Sequence, residues 1–423
     1  LVLSRFFGIF PITGAWPTTD VEKVTFKWLT LPVLSTAVMM GFATLDVCLT
    51  FRMMSEQGLK LTTTGPLSFS IECLSAFIVF LCLSRNWPNL IKSTRRLENI
   101  FSQHLYTCKE SKKFSQRIRF LGWMFLFCSV IEHSFYVSSG IYSNYLQIKQ
   151  CNLTVNFWHN YYVRERLQIF SLVSYTVWLV PLLQVWHKRD FFNNLIFLKF
   201  KFLIFNYKQW ITISMTFVWN FIDIFLILTC RGLAIRFRQF DWCIKCHIKK
   251  NMPNDFWLKR RQDFLTLSDL FQQYDDKLSN LVLLSSAQNM YFMASHIFYI
   301  FHLTRENFMM DIYFWFSFAF VAFRSFYMML TASRIHDTTN DIIASMYEIP
   351  TAHWCLELKR LNEVIVSDLF AISGRGFFFI TRRLMLAVCV VRLWNSPAKK
   401  RLQWKPWTHR ITGTSMQYWP CDR

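Results

Sequence analysis

Charged residues are scarce in this chain. They make up 17% of its 423 positions, against about a quarter in an ordinary soluble domain, while hydrophobic residues make up 53% and Phe alone fills 45 positions. That balance excludes a soluble globular domain and implies a polytopic membrane protein. Acids are the scarcer sign, 26 against 47 Lys and Arg, for a formal charge of +21. The excess sits in loops rather than along one face, so no nucleic-acid partner is expected. The 12 cysteines lack the regular spacing of a disulfide framework and read as small core hydrophobes. Cys243-Ile-Lys-Cys246-His247 matches the attachment pattern of c-type haem, but it lies in a basic loop without haem-protein context, so no cofactor and no metal are expected. Nor does the chain hold a nucleophile constellation, a metal set or paired helix-breaking half-spans, which argues against an enzyme or a transporter. No signal peptide is visible, and because the chain begins at Leu1 rather than Met, its true N-terminus is expected to lie further upstream.

What the chain does have is long apolar runs. Stretches of about 20 residues, enough to cross roughly 30 Å of hydrocarbon, occur at Trp28–Leu49, Thr64–Leu83, Phe120–Ile141, Leu167–Gln184, Trp210–Cys230, Leu278–Phe301 and Ile312–Ser333, with a shorter one at Phe377–Val391. Arg85–Arg119 carries nine Lys and Arg against Glu98 and Glu110, and Arg231–Arg261 carries nine against Asp241 and Asp255. Both loops therefore read as cytoplasmic. The sequon Asn152-Leu153-Thr154 between them marks the opposite, glycosylated side. Together they place the N-terminus inside. A seven-span G-protein-coupled receptor needs the reverse orientation, and the third span here ends at Tyr136–Ser143 without the acidic-Arg-Tyr triplet of that class. Outside the spans, Phe264, Leu267, Leu270, Phe271, Tyr274 and Leu278 have helical spacing, as do Leu358, Leu361, Ile365 and Leu369 within Trp354–Phe370, so a helical cytoplasmic base is expected.

The run Thr212–Leu228 places one carboxylate, Asp223, inside an otherwise apolar span. Such an acid is tolerated mainly where it faces a bundle interior or a water-filled cavity. Other polar residues share these depths: Glu72 in the second span, Glu132 and His133 in the third, Trp219 and Asn220 beside Asp223, Gln288, Asn289, Tyr291 and His296 in the fifth, and Tyr313, Trp315 and Arg324 in the sixth. A few placed polar groups among aromatic rings suit a small ligand bound in an otherwise apolar pocket. Each has a structural alternative. The aromatic residues serve equally as packing or as interface belt, Gln288 and Asn289 as interhelical hydrogen-bond glue, and Asp223 with Arg324 as an ion pair that fixes helix register. Glu132 and His133, adjacent, titratable and near the outer mouth, are the strongest ligand candidates.

Several blocks resemble insect gustatory receptors, and within them the sugar-receptor branch. They are Phe6-Phe-Gly-Ile-Phe-Pro-Ile12 before the first span, Trp219-Asn-Phe-Ile-Asp223 with Leu233-Ala-Ile-Arg-Phe-Arg-Gln239, and Leu283-Leu-Ser-Ser-Ala-Gln-Asn-Met-Tyr-Phe292. Trp354-Cys-Leu-Glu357 with Arg360, then Ser373-Gly374, Phe377-Phe378 and Thr381-Arg382, continue the likeness toward the seventh span. The resemblance implies an all-α, seven-span receptor of the plasma membrane (residues 1–423), with the six spans and a sugar pocket at 26–333 and a cytoplasmic helix and the start of the seventh span at 334–391. It also implies a ligand-gated cation channel whose seventh span lines the pore, assembled as a homo- or hetero-tetramer with other gustatory receptor subunits and in contact with membrane lipid.

Two stretches depart from that pattern. Residues 185–209 interrupt what the family has as one long fourth span. Every valine codon begins GT and one glutamine codon is CAG, so Val185 to Gln209, rich in Phe, Lys, Asn and Ile, reads as a translated intron. Its removal would join Leu167–Gln184 to Trp210–Cys230 in one helix about 55 Å long, whereas its retention would make two spans of them and reverse the topology that follows. His187–Lys208, as written, is expected to form neither a clean span nor an amphipathic face. Residues 392–423 are basic and rich in Trp, lack the Thr-Tyr-x5-Gln-Phe motif of a family-type seventh span, and read as an aberrant tail that leaves that span truncated.

Overall fold

A computed structural model describes residues 4–5, 7–14, 21–59, 61–108, 113–151, 157, 190–302 and 307–384. Among the described residues the α-helices are α1 (Leu31–Gln57), α2 (Leu61–Phe101), α3 (Phe114–Gln150), α4 (Asp190–Lys245), α5 (Asn254–His302), α6 (Phe308–Tyr347) and α7 (Leu356–Ser367). The all-helical, polytopic class expected from the apolar runs is what the chain adopts. Among the described residues, five stretches are long and apolar enough to cross a membrane: α1, Thr63–Phe101, α3, Thr212–Lys245 and α6. The expected span Leu278–Phe301 occupies the C-terminal half of α5, where Ser285, Ser286, Gln288 and Asn289 dilute its hydropathy. The expected span Leu167–Gln184 and the sequon at Asn152 lie outside the described residues.

Cross-helix contacts give the directions. Met215, Arg236 and Gln239 of α4 meet Cys73, Glu98 and Phe101 of α2 in the same order, so the two helices run parallel. A Cβ at Gly122 of α3 would meet Leu228 of α4, and Glu132, further along α3, adjoins Asn220, earlier in α4. Those two helices are therefore antiparallel. Helix α6 runs with α4, as Arg324 pairs with Asp223 and Ser345 bonds Asp241. The two basic loops thus share one end of the bundle, and α3 carries the chain toward residue 151 at the other.

The basic end is a packed helical base. Phe237 of α4, Phe264 and Phe271 of α5 and Phe370 after α7 meet with ring centroids 5.4–6.4 Å apart. Tyr106 donates to Asp263 at 2.5 Å, and burial together with that bond pushes its phenol well up, so it stays a neutral donor. The expected amphipathic helix forms as α7, with Leu358, Leu361 and Ile365 buried. Leu369, expected on the same face, is instead 53% exposed, because α7 ends at Ser367 and the extended backbone of Asp368 breaks the helical register; Phe370 turns inward in its place.

One further expectation is corrected. Phe377 does not begin a seventh span. Arg375 and Gly376 have φ of 55° and 76°, turning the chain so that Ser373 bridges Phe379 and Ile380 N–H donates to Ile372 at 2.9 Å. Asp275 of α5 pins this turn, accepting from Ser373 N–H at 2.7 Å and from its hydroxyl at 2.9 Å. A helical turn begins only at residue 382, where Arg382 pairs with Asp337 of α6 at 2.7 Å. The backbone of residues 190–208 is helical and continuous with the rest of α4. Phe, Leu, Ile, Lys and Asn all tolerate a helix, no Gly or Pro interrupts them, and extending a helix already formed costs far less than nucleating one.

Candidate functional site

Halfway up the bundle, Asp223 of α4 and Arg324 of α6 form an ion pair at 2.7 Å with both side chains fully buried. Each is held from several sides. Asp223 accepts from Ser285 and, at 3.1 and 3.2 Å, from the amide of Asn289, both on α5. Arg324 donates to the side-chain Oδ1 of Asn220, and its guanidinium lies 4.4 Å from the centre of the Trp219 ring and 5.6 Å from that of Phe320. A cation over an indole face is attracted by the ring quadrupole. The side-chain spacing explains the convergence: Asn220 and Asp223 are three apart on α4, Ser285 and Asn289 four apart on α5, and Ser317 and Arg324 seven apart on α6, so each set lies on one helix face.

Two more carboxylates approach this cluster. Glu132 of α3 is buried and accepts from Ser317 at 2.7 Å, with Asn220 adjoining. Glu72 of α2 is buried on the other flank, and the Arg324 charge reaches both acids. Several buried atoms around the cluster have no partner among the described residues: Glu72 Oε1, Glu132 Oε2, Trp219 Nε1, both amide atoms of Gln288 and Asn289 Oδ1. An unsatisfied buried polar group costs about 1–3 kcal/mol. A set of donors and acceptors this dense suits a ligand that both donates and accepts at many points.

The structure therefore brings together Glu72, Glu132, Trp219, Asn220, Asp223, Asn289 and Arg324. It sets the other candidates apart. His133 is half-buried and faces away from Glu132; its ring lies 6.2 Å from Tyr136, which in turn lies 5.7 Å from Tyr313, an aromatic row between α3 and α6. Trp315 is 48% exposed, as an interface-belt residue would be. His296 Nδ1 donates to the Phe292 carbonyl at 2.8 Å, and its ring rests against Phe314 and Phe318. Sequence reading missed Ser285 and Ser317, the hydroxyls that serve the two acids. Their signal was positional, four residues before Asn289 and seven before Arg324.

The sequence model of the trehalose receptor family matches residues 1–193 and 183–391. The chain belongs to that family. It is 25% identical over 392 residues to "Gustatory receptor for sugar taste 64b" of Drosophila melanogaster, covering 92% of this chain and 89% of that one, and 22% identical over 394 residues to "Gustatory receptor 5a for trehalose" of the same species, covering 92% and 80%. The resemblance to the sugar branch of the insect gustatory receptors is thereby borne out, and these relatives are receptors rather than enzymes. The receptor's fold is also that of the olfactory receptor OR5 from Machilis hrabei, with TM-scores of 0.63 for that structure and 0.67 for the same receptor in complex with eugenol. Both comparisons cover 95% of this chain and 96% of the other at 10% identity.

Proposed function

We propose that this receptor is a subunit of a sugar-gated cation channel of the plasma membrane, a homo- or hetero-tetramer with other gustatory subunits, opened by a sugar that binds among Glu72, Glu132, Trp219, Asn289 and their neighbours. The observation that carries this reading is the group of buried carboxylate, amide and indole atoms without protein partners around the Asp223–Arg324 pair. A sugar hydroxyl donates and accepts at once, and the Trp219 ring offers a surface to a C–H face. The ligand opens the channel to the extent that it binds the open state better than the closed one.

Glu132→Gln tests the site, because the amide keeps an acceptor for Ser317 while removing the charge. In a receptor with a conducting seventh span, losing a charged hydrogen bond of about 1.5–3 kcal/mol should raise the half-maximal sugar concentration roughly 10- to 150-fold with surface expression unchanged. His133→Ala, which alters the aromatic row instead, should shift it less. Identical dose–response curves for Glu132→Gln and the parent would remove Glu132 from the site.

The same reading removes residues 185–209 from the mature receptor. Their composition, rich in Phe, Lys, Asn and Ile, supports this removal. Message reverse-transcribed across codons 184–210 should lack the 25 intervening codons in its major form. A major form that retains them would refute the intron.

A further inference from the structure

A cavity of about 290 Å³ opens between α2, α4 and α5, where the spans meet the helical base, near the lower end of the range for small-ligand pockets. It belongs to neither the polar cluster nor the ion pair. Phe221, Phe225, Gly232 and Arg236 line it and share one face of α4, whereas Asp223 falls on the opposite face. Its walls are apolar: Trp87 and Leu97 from α2, the α4 phenylalanines, and Leu270 from α5. Gly232 leaves one side open, since a Cβ built there meets nothing within 4 Å.

Two polar features mark the cavity's character. Thr94 and Tyr274 hydroxyls lie 2.9 Å apart, and Thr94 donates to the Leu90 carbonyl at 2.8 Å. With the Thr94 hydrogen so committed, Tyr274 donates to Thr94 and keeps its own lone pairs for a further donor. Arg236 is neutralised by Glu98 at 2.8 Å and also donates to Gln239 at 2.8 Å, so the cavity presents no uncompensated positive charge. A bare carboxylate headgroup would have no hydrogen to offer Tyr274 and would meet the Glu98 carboxylate. A hydroxyl satisfies Tyr274 and adds no charge. The surrounding bilayer supplies hydrocarbon bodies to any apolar opening between spans.

We propose that this cavity binds a neutral membrane lipid with a single hydroxyl headgroup, of the sterol kind, its hydroxyl donating to Tyr274 and its apolar body lying against Trp87, Phe221 and Phe225. The test uses the full-length receptor in nanodiscs with a diazirine-bearing sterol, and a diazirine-bearing fatty acid as the anionic comparison. Photolysis should label peptides spanning residues 87–97 and 221–236 with the sterol, and excess unlabelled sterol should compete the label away. Gly232→Leu, which fills the opening, should abolish that label, and Tyr274→Phe should weaken it severalfold, while both variants elute as the parent does on size-exclusion. Gly232→Ala, which adds the least bulk, serves as the reference if the leucine variant elutes differently. Absence of competable label in those peptides, label indifferent to Gly232→Leu and Tyr274→Phe, or preferential labelling by the fatty acid would each overturn the proposal.

Discussion

Arg324→Met should destabilise the receptor by about 3–5 kcal/mol, the cost of leaving one member of a buried ion pair uncompensated. Asp223 would then sit fully buried with only Ser285 and Asn289 to solvate it. Pairing the change with Asp223→Leu should recover most of the loss, since replacing both charges with apolar groups of similar volume is often neutral. The measurement is thermal inactivation of detergent-solubilised receptor, followed by size-exclusion, for the parent, each single variant and the double. Recovery in the double identifies the pair as a register-fixing strut around which the pocket is built. If the single variants instead melt like the parent and only shift sugar sensitivity, the pair is a direct ligand contact and its structural role falls.

The strut was half legible in the sequence. An acid within Thr212–Leu228 and an arginine within Ile312–Ser333 are each conspicuous in apolar surroundings, and opposite charges at membrane depth suggest one another. Glu132 and His133 could not be told apart that way, because adjacency in a helix turns neighbouring side chains about 100° apart and only the packing shows which one faces the core. Ser285 and Ser317 carry too weak a signal to stand out among the many serines of these spans, although helical spacing from Asn289 and Arg324 picks them out once the acids are placed. Span positions were readable from hydropathy, but element ends were not: Phe377 looked like the start of a helix because Phe377 to Phe379 are apolar, whereas the conformation is set by the left-handed backbone at Arg375 and Gly376 and by Asp275, nearly a hundred residues away. Burial pushes the Asp275 carboxyl up, and its bonds to Ser373 pull it back down. No local pattern encodes a partner at that distance.

Expressed alone in a cell that lacks other taste receptors, this chain as written should give no sugar-evoked current. A conducting path needs a helix of about 20 residues per subunit across the hydrocarbon. Within the expected span Phe377–Val391 a helical turn begins only at residue 382, and from Arg392 onward the sequence meets Asn395, Pro397, Lys399, Lys400 and Arg401 in close succession. Pro397 would remove a backbone donor and clash with the preceding turn. A lysine at the bilayer centre costs about 2.5–3.5 kcal/mol on insertion scales, and lysines facing a pore would repel the cations it should pass. Replacing residues 392–423 with a family-type apolar span, with residues 185–209 removed, should restore a current that rises with sugar concentration, because the polar cluster, the Asp275–Ser373 turn and the Arg382–Asp337 pair that lead into the span are already in place. Whole-cell recording of both chains under the same sugar series decides it. A sugar-dependent cation current from the unaltered chain would show that the pore is lined by some other helix, and the assignment of conduction to the seventh span would have to be abandoned.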